Sequence, residues 1–185
     1  MNISHAIAAA GFCLLVSSAP ALAGTTDKGI ENAGNIVALT LPLAAGGISL
    51  LHHRDWEGLA EFGESTALTV GTALILKQIV KEQRPDHSDF QSFPSDTAAL
   101  AYSSADYLWD RYGWEYGVPA YAAAMFVGYS RVKAKKHHWY DVAASSVIAF
   151  GFNYAFVEHY HQSERFGVYA SATPDEIGVH LAMNW

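Results

Sequence analysis

The chain has 185 residues, with 11 Lys and Arg against 18 Asp and Glu, a formal charge of −7 and one cysteine. That length holds one domain and hardly two, and the acidic balance argues against nucleic acid as a partner, because no broad basic face is available. Cys13 has no second cysteine to pair with, so no intrachain disulfide can form and the core must hold the fold.

The chain opens MNISHAIAAAGFCLLVSSAPALAG, which reads as a secretory signal over residues 1–23. Ala6 to Val16 form its apolar core, and Ala21-Leu22-Ala23 supplies the small-x-small cleavage site before Gly24. Export to the periplasm is the expectation. An uncleaved membrane anchor is the alternative, since no Lys or Arg precedes the apolar stretch. Residues 24–185 then form a single domain, and about 160 residues suffice to bury roughly 70% of their unfolded surface.

Residues 32–51 are expected to be helical, with a break near Pro42. The uncharged run 33–51 is about long enough to cross a bilayer, but Pro42 and Gly46-Gly47 interrupt it. With a mean hydropathy of +0.08, the expectation is a water-soluble or peripherally attached helical domain. His52-His53-Arg54-Asp55 reads as a polar connection, and a helix is expected from Trp56 to Val80. Residues 84–90 are rich in turn formers. Pro94-Ser95-Asp96 reads as a helix start ahead of TAALAYSSADYLW, with a turn over 110–117 and a small-residue helix over 118–131. A basic loop at 132–136 and a last helix over 138–159 follow. The tail, 166–185, alternates apolar and polar residues around Thr173-Pro174-Asp175-Glu176, which suits a small β-hairpin or an irregular tail. The fold class is all-α, a helical bundle with short connections.

Three segments carry chemistry, all within 77–141. In KQIVKEQRP, Lys77 and Arg84 lie seven residues apart, which on a helix returns to nearly the same face. Their ordinary reading is cations complementing a helix C-terminus; their functional reading is one wall of an anion pocket. Ser95 stands at a predicted helix N-terminus, where free N–H groups favour a phosphate. In SRVKAKKHHWYD, Arg131 adds a planar donor fork, and His137 and Asp141 are spaced to share a helix face. A carboxylate on one ring nitrogen would fix the tautomer and free the other nitrogen to attack.

Lys77…Arg84-Pro85, Pro94-Ser95 and Ser130-Arg131…His137…Asp141 together resemble the type 2 phosphatidic acid phosphatase superfamily, which includes class A bacterial acid phosphatases and vanadium haloperoxidases. The resemblance implies a metal-independent, cofactor-free phosphatase of helical-bundle type, with vanadate as an inhibitor. His137 would be the nucleophile, passing through a phosphohistidine, and Asp141 would orient it. Lys77, Arg84, Ser95 and Arg131, with Asp96 beside them, would hold the phosphate. Phosphomonoesters or diphosphates are the implied substrates, lipid-linked by preference, with possible peripheral membrane contact.

One position departs from the pattern: Asp96 and Thr97 stand where the family has Gly and His. That His protonates the leaving group, and a hydroxyl at Thr97 is a poor substitute. His87, His138 or an Asp96 of raised pKa are the candidate acids; alternatively the substrate is a diphosphate, or the protein is an impaired phosphate- or lipid-binding envelope protein. His52-His53 and His159/His161 lack the spacing of a metal site. Trp109, Trp114, Tyr116 and Tyr121 suit either an acyl or prenyl groove or bundle packing. Lys133, Lys135 and Lys136 suit contact with an anionic lipid surface.

Overall fold

The computed structural model describes residues 27–160, 167–173 and 176–182. The leader expected over 1–23, Cys13 and His161 lie outside them. Five long helices appear among the described residues: α1 Asp27–Gly47, α2 Trp56–Val80, α3 Asp96–Tyr112, α4 Trp114–Lys133 and α5 Trp139–Phe156. The all-α bundle expected from the sequence is the fold observed. Two strands, β1 Gly167–Thr173 and β2 Glu176–Ala182, pair antiparallel as the hairpin suggested by the tail, with Gly167 opposite Ala182 and Thr173 opposite Glu176.

Local chemistry sets most helix ends. Asp55 caps α2, its side chain accepting from Gly58 N–H at 2.8 Å. Ser95 caps α3 by accepting from Ala98 N–H at 3.3 Å. The turn expected over 110–117 contracts to one residue. Gly113, at φ 89°, reverses the chain alone, a conformation closed to most side chains. Pro42 does not break α1, which continues to Gly47 and then loosens into a π-helical turn, Ile48–His53. An interior proline costs about 3 kcal/mol. Burial of Val37, Ala38, Leu41 and Ala45 on the same helix offsets it.

α3 is the axle of the bundle, packed against each of the other four helices. Its buried positions are mostly small, with Ala98, Ala101, Ser103 and Ala105 fully enclosed. Small residues let backbones approach closely. At Gly34 an added Cβ would lie 1.8 Å from Ser130 Oγ, so α1 meets α4 almost backbone to backbone there. The outer faces are the reverse. Leu39, Leu43, Ile75, Ile79, Met125 and Val147, spread over α1, α2, α4 and α5, are all exposed. α1 with the start of its π-helical extension is the described helix long and apolar enough to cross a membrane.

Chain reversal gathers the C-termini of α2 and α4 and the N-termini of α1, α3 and α5 at one end. The opposite end is closed by a buried clamp. Arg111 binds Asp55 with two bonds, Nε to Oδ2 at 2.8 Å and Nη2 to Oδ1 at 2.9 Å. It also donates to Glu61 at 3.2 Å and to Glu158 O at 2.8 Å, and Tyr112 donates to Asp55 at 2.9 Å. Burial raises the Asp55 pKa, but these donors outweigh it and hold the carboxyl below its ordinary value.

Candidate active site

His137 lies just before α5, consistent with a helix start near 138, so it does not share a helical face with Asp141, and its ring is almost fully buried. The reason is the helix start: His138 is the N-cap, and Asp141, three residues on, turns its carboxylate back to accept from His138 N–H at 2.7 Å. Asp141 Oδ2 therefore stands 3.6 Å from His137 Nδ1, close enough for charge attraction but too far for a hydrogen bond. The short bond runs elsewhere. Nδ1–H donates to the Ser92 carbonyl at 2.7 Å, which fixes the tautomer and leaves Nε2 as the nitrogen with a free lone pair. Ser92 also donates its hydroxyl to Asp141 Oδ2 at 2.5 Å. Burial pushes Asp141 up, but His137, the Ser92 hydroxyl and the His138 N–H together hold it below the ordinary carboxylate value. The carboxylate thus steadies the site electrostatically, while a backbone carbonyl orients the ring.

Ser92 was not singled out from the sequence. Its only signal is its place in the turn before Pro94-Ser95, a turn that has to carry the chain from Lys77 and Arg84 back to α3.

The cations converge on this histidine. Lys77, at 4% exposure, ends α2 with Nζ 2.8 Å from Gln91 O and 3.2 Å from Asp96 Oδ1. Arg84 holds Asp89 at 2.7 Å and reaches back to Lys136 O at 3.4 Å, bringing the 84–89 loop over the 131–137 segment. Arg131, buried at the end of α4, donates to Glu31 O at 3.2 Å. Its Nε is a buried donor with no hydrogen-bond partner among the described residues. Burial lowers the Arg131 pKa, with Glu31 and Asp96 opposing and Arg84 adding to the effect. Ser95 is fully buried; its oxygen accepts from Ala98, which leaves its own O–H to donate. Ser145 ties the two helix starts together, donating to both Ser95 O and Asp141 O at 2.8 Å.

Asp96 is the anion inside this ring of cations. Burial raises its pKa, but Lys77 and then His137 more than compensate and hold it below the ordinary carboxylate value. This corrects the expectation that a raised pKa would make it an acid: it is ionised, and it occupies Lys77. The other two candidates have their own surroundings. His87 is exposed in a turn closed by its own N–H to Arg84 O at 2.9 Å. The His138 ring stacks on Tyr140 at 4.8 Å and sits 3.5 Å from Asp141 and 3.8 Å from Glu82. Glu82, His138 and Asp141 offer three ligand atoms within 4.8 Å of one another, the arrangement among the described residues that could hold a metal ion. Asp141 Oδ2 already accepts two hydrogen bonds there, which a metal would have to displace.

Of the other residues noted, His159 is exposed. Lys133 pairs with Asp27 at 3.6 Å and Lys136 with Asp86 at 2.7 Å, so both lie at the rim.

The sequence is 30% identical over 172 residues to the lipid A 4'-phosphatase of Helicobacter pylori (strain J99), an alignment covering 84% of this chain and 85% of that protein. This chain belongs to that family and is a phosphatase. No family model matches the chain, and no solved structure matches it. The candidate site thus holds three cations, a helix N-terminus and an imidazole whose Nδ1–H is already donated.

Proposed function

We propose that this phosphatase hydrolyses phosphorylated membrane lipids through a covalent phosphohistidine on His137, by the mechanism of the type 2 phosphatidic acid phosphatases. Its relative's name points to lipid A carrying a 4'-phosphate as the first substrate to test; a lipid diphosphate is the second. The reading rests on one observation above others: a buried imidazole with Nδ1 already donating, ringed by Lys77, Arg84 and Arg131, with Arg131 Nε unsatisfied.

The steps follow from the geometry. Phosphate enters the cation ring and takes Lys77 from Asp96. Arg131 Nε, Arg84, Lys77 and the Ser95 hydroxyl contact its non-bridging oxygens. His137 Nε2 attacks phosphorus, the P–O ester bond breaks, and the electron pair leaves on the departing oxygen. The imidazolium so formed keeps its Nδ1–H on Ser92 O and is stabilised by Asp141 at 3.6 Å. Water then attacks phosphorus, the N–P bond breaks, and inorganic phosphate and neutral His137 are restored. With Thr97 in place of an acid, charge stabilisation carries the first step. Rates therefore depend steeply on the leaving group's pKa.

The exposed apolar stripes on α1, α2, α4 and α5 support contact with a lipid bilayer as part of this reading. The leader read in residues 1–23 of the sequence supports export to the periplasm as part of the proposal.

The test is direct. Wild type and His137→Ala are assayed in EDTA against para-nitrophenyl phosphate, an alkyl phosphate and a phosphorylated lipid, and an acid-labile, base-stable phosphoenzyme is sought by quenching. Expected are EDTA-resistant turnover, a phosphoenzyme absent from the variant, and aryl ester cleaved far faster than alkyl. Phosphate binding without turnover would instead identify an impaired binding protein. Equal rates for His137→Ala and wild type would remove the mechanism.

A further inference from the structure

α4 and α5 touch near the catalytic end, where a Cβ on Gly128 would lie 2.7 Å from Val142 Cγ1. Beyond that contact they bound a cavity of about 250 Å³ lined by Tyr102, Asp106, Tyr121, Ser146, Val147 and Phe150. Its rim is exposed and apolar, with Val147 at 68% and Phe150 at 56% exposure. Its floor is a carboxyl group: Asp106, on the central helix, is only 2% exposed. Tyr121 donates a hydrogen bond to Oδ1. Oδ2 is buried and has no partner among the described residues.

A buried carboxyl oxygen without a partner costs free energy of the order of 1–3 kcal/mol. Nothing in the proposed chemistry at His137 uses it. Burial pushes the Asp106 carboxyl up to about 7, against the pull of the Tyr121 hydrogen bond. It is therefore an acceptor that need not carry a full charge among apolar walls.

The cavity's place relative to the phosphate site can be read on three helices. Asp96 to Asp106 on α3, Tyr121 to Arg131 on α4 and Asp141 to Phe150 on α5 each span nine or ten residues, about 14–15 Å of helix rise. Half of a hydrocarbon core of about 30 Å is the depth of one leaflet's acyl chains, also roughly 15 Å. A lipid with its phosphate at His137 and one chain laid over the outer side of the Gly128–Val142 contact reaches this cavity.

From the open apolar rim, the unpartnered acceptor at the floor and that spacing, we infer that the cavity is a chain-recognition subsite: it takes one acyl chain of the substrate and hydrogen-bonds a hydroxyl on that chain through Asp106 Oδ2. This deepens the proposed function and rests on its lipid-phosphate reading. Tyr121 is the positioning residue, holding Oδ1 and leaving Oδ2 as the unpartnered acceptor. A plain chain fills the walls but leaves the acceptor unmet, so the subsite discriminates in favour of hydroxylated chains.

The experiment compares two micellar phosphatidates that differ only in a hydroxyl on one chain, placed about 14–15 Å along from the phosphate, with para-nitrophenyl phosphate as a probe too small to reach the cavity. Wild type is expected to prefer the hydroxylated lipid roughly tenfold in kcat/KM, the worth of one buried hydrogen bond. In Asp106→Leu the preference falls to near unity, Asp106→Asn keeps most of it, and para-nitrophenyl phosphate turnover is unchanged in both. Val147→Trp, a rim substitution that leaves the core alone, is expected to raise KM for both lipids and not for the small ester. A wild type indifferent to the hydroxyl, or a preference that survives Asp106→Leu, overturns the subsite. Failure of the proposed function is distinguishable, because para-nitrophenyl phosphate would then not be hydrolysed by any form. Loss of all turnover in Asp106→Leu alone would mark it as a folding residue, and an unaltered lipid KM in Val147→Trp would then overturn the subsite.

Discussion

On the proposed mechanism Asp96 competes with the substrate for Lys77, and removing its charge should show it. The two groups lie 3.2 Å apart. At an effective dielectric constant near 20 this is about 5 kcal/mol of raw attraction. The Asp96 side chain is 40% exposed, and solvent screening reduces an exposed pair to about 1 kcal/mol. That converts to roughly fivefold in affinity. Asp96→Asn is therefore expected to bind inorganic phosphate and vanadate about fivefold more tightly, with kcat on para-nitrophenyl phosphate little changed. The pH dependence has a defined sign. Asp96 is held below the ordinary carboxylate value, so in wild type anion affinity rises only as pH falls through that depressed pKa, and this acid-side rise is absent in the variant. Inhibition constants measured from the acid range to pH 8 give the answer. A hundredfold loss of kcat in Asp96→Asn, with disappearance of the alkaline limb of the rate profile, would refute the argument by making Asp96 the proton donor.

Three further outcomes are expected. Introducing the absent acid, Thr97→His, should accelerate alkyl phosphate hydrolysis by roughly ten- to a hundredfold while leaving the aryl ester little affected, flattening the leaving-group dependence. Arg111→Met strands the buried Asp55 carboxylate and should cost about 3–5 kcal/mol in thermal or denaturant unfolding, whereas the double variant with Asp55→Leu should recover most of it. Because Asp55 titrates lower when folded, the stabilisation it brings is present above its unfolded pKa and is lost as pH falls through the folded one; acid titration of wild type against the double variant measures this. Gly34→Ala forces a methyl group against Ser130 and should destabilise by about 1–3 kcal/mol, with a loss of activity through the adjacent Arg131.

The helical periods and their ends were largely legible, because caps are local: Asp55 and Ser95 announce α2 and α3, and the 56–80 helix begins and ends where its sequence says it should. Gly113 was harder, since a one-residue reversal looks in sequence like one glycine within a longer polar stretch; Arg111 and Asp55, 56 residues apart, hold the last turn of α3 in place. The same limit hid the partners of the candidate site residues. Spacing brought His137 and Asp141 together, but not the Ser92 carbonyl that takes the ring's proton, because a carbonyl has no sequence signature. Nor did spacing reveal that Asp96 would turn to Lys77 and ionise. The apolar exterior was not legible for a different reason: average hydropathy is insensitive to direction, and this protein buries Ser49, Ser65, Thr69 and Asn153 while exposing Leu39, Leu43, Ile75 and Ile79.

The Asp55–Arg111 clamp gives the bundle two unlike ends. One is riveted by buried, bidentate charges; the other is latched by pairs at the water's edge, Arg84 with Asp89 and Lys136 with Asp86. Ionic strength therefore acts on the two ends unequally: high salt should weaken the exposed pairs well before it weakens the buried clamp.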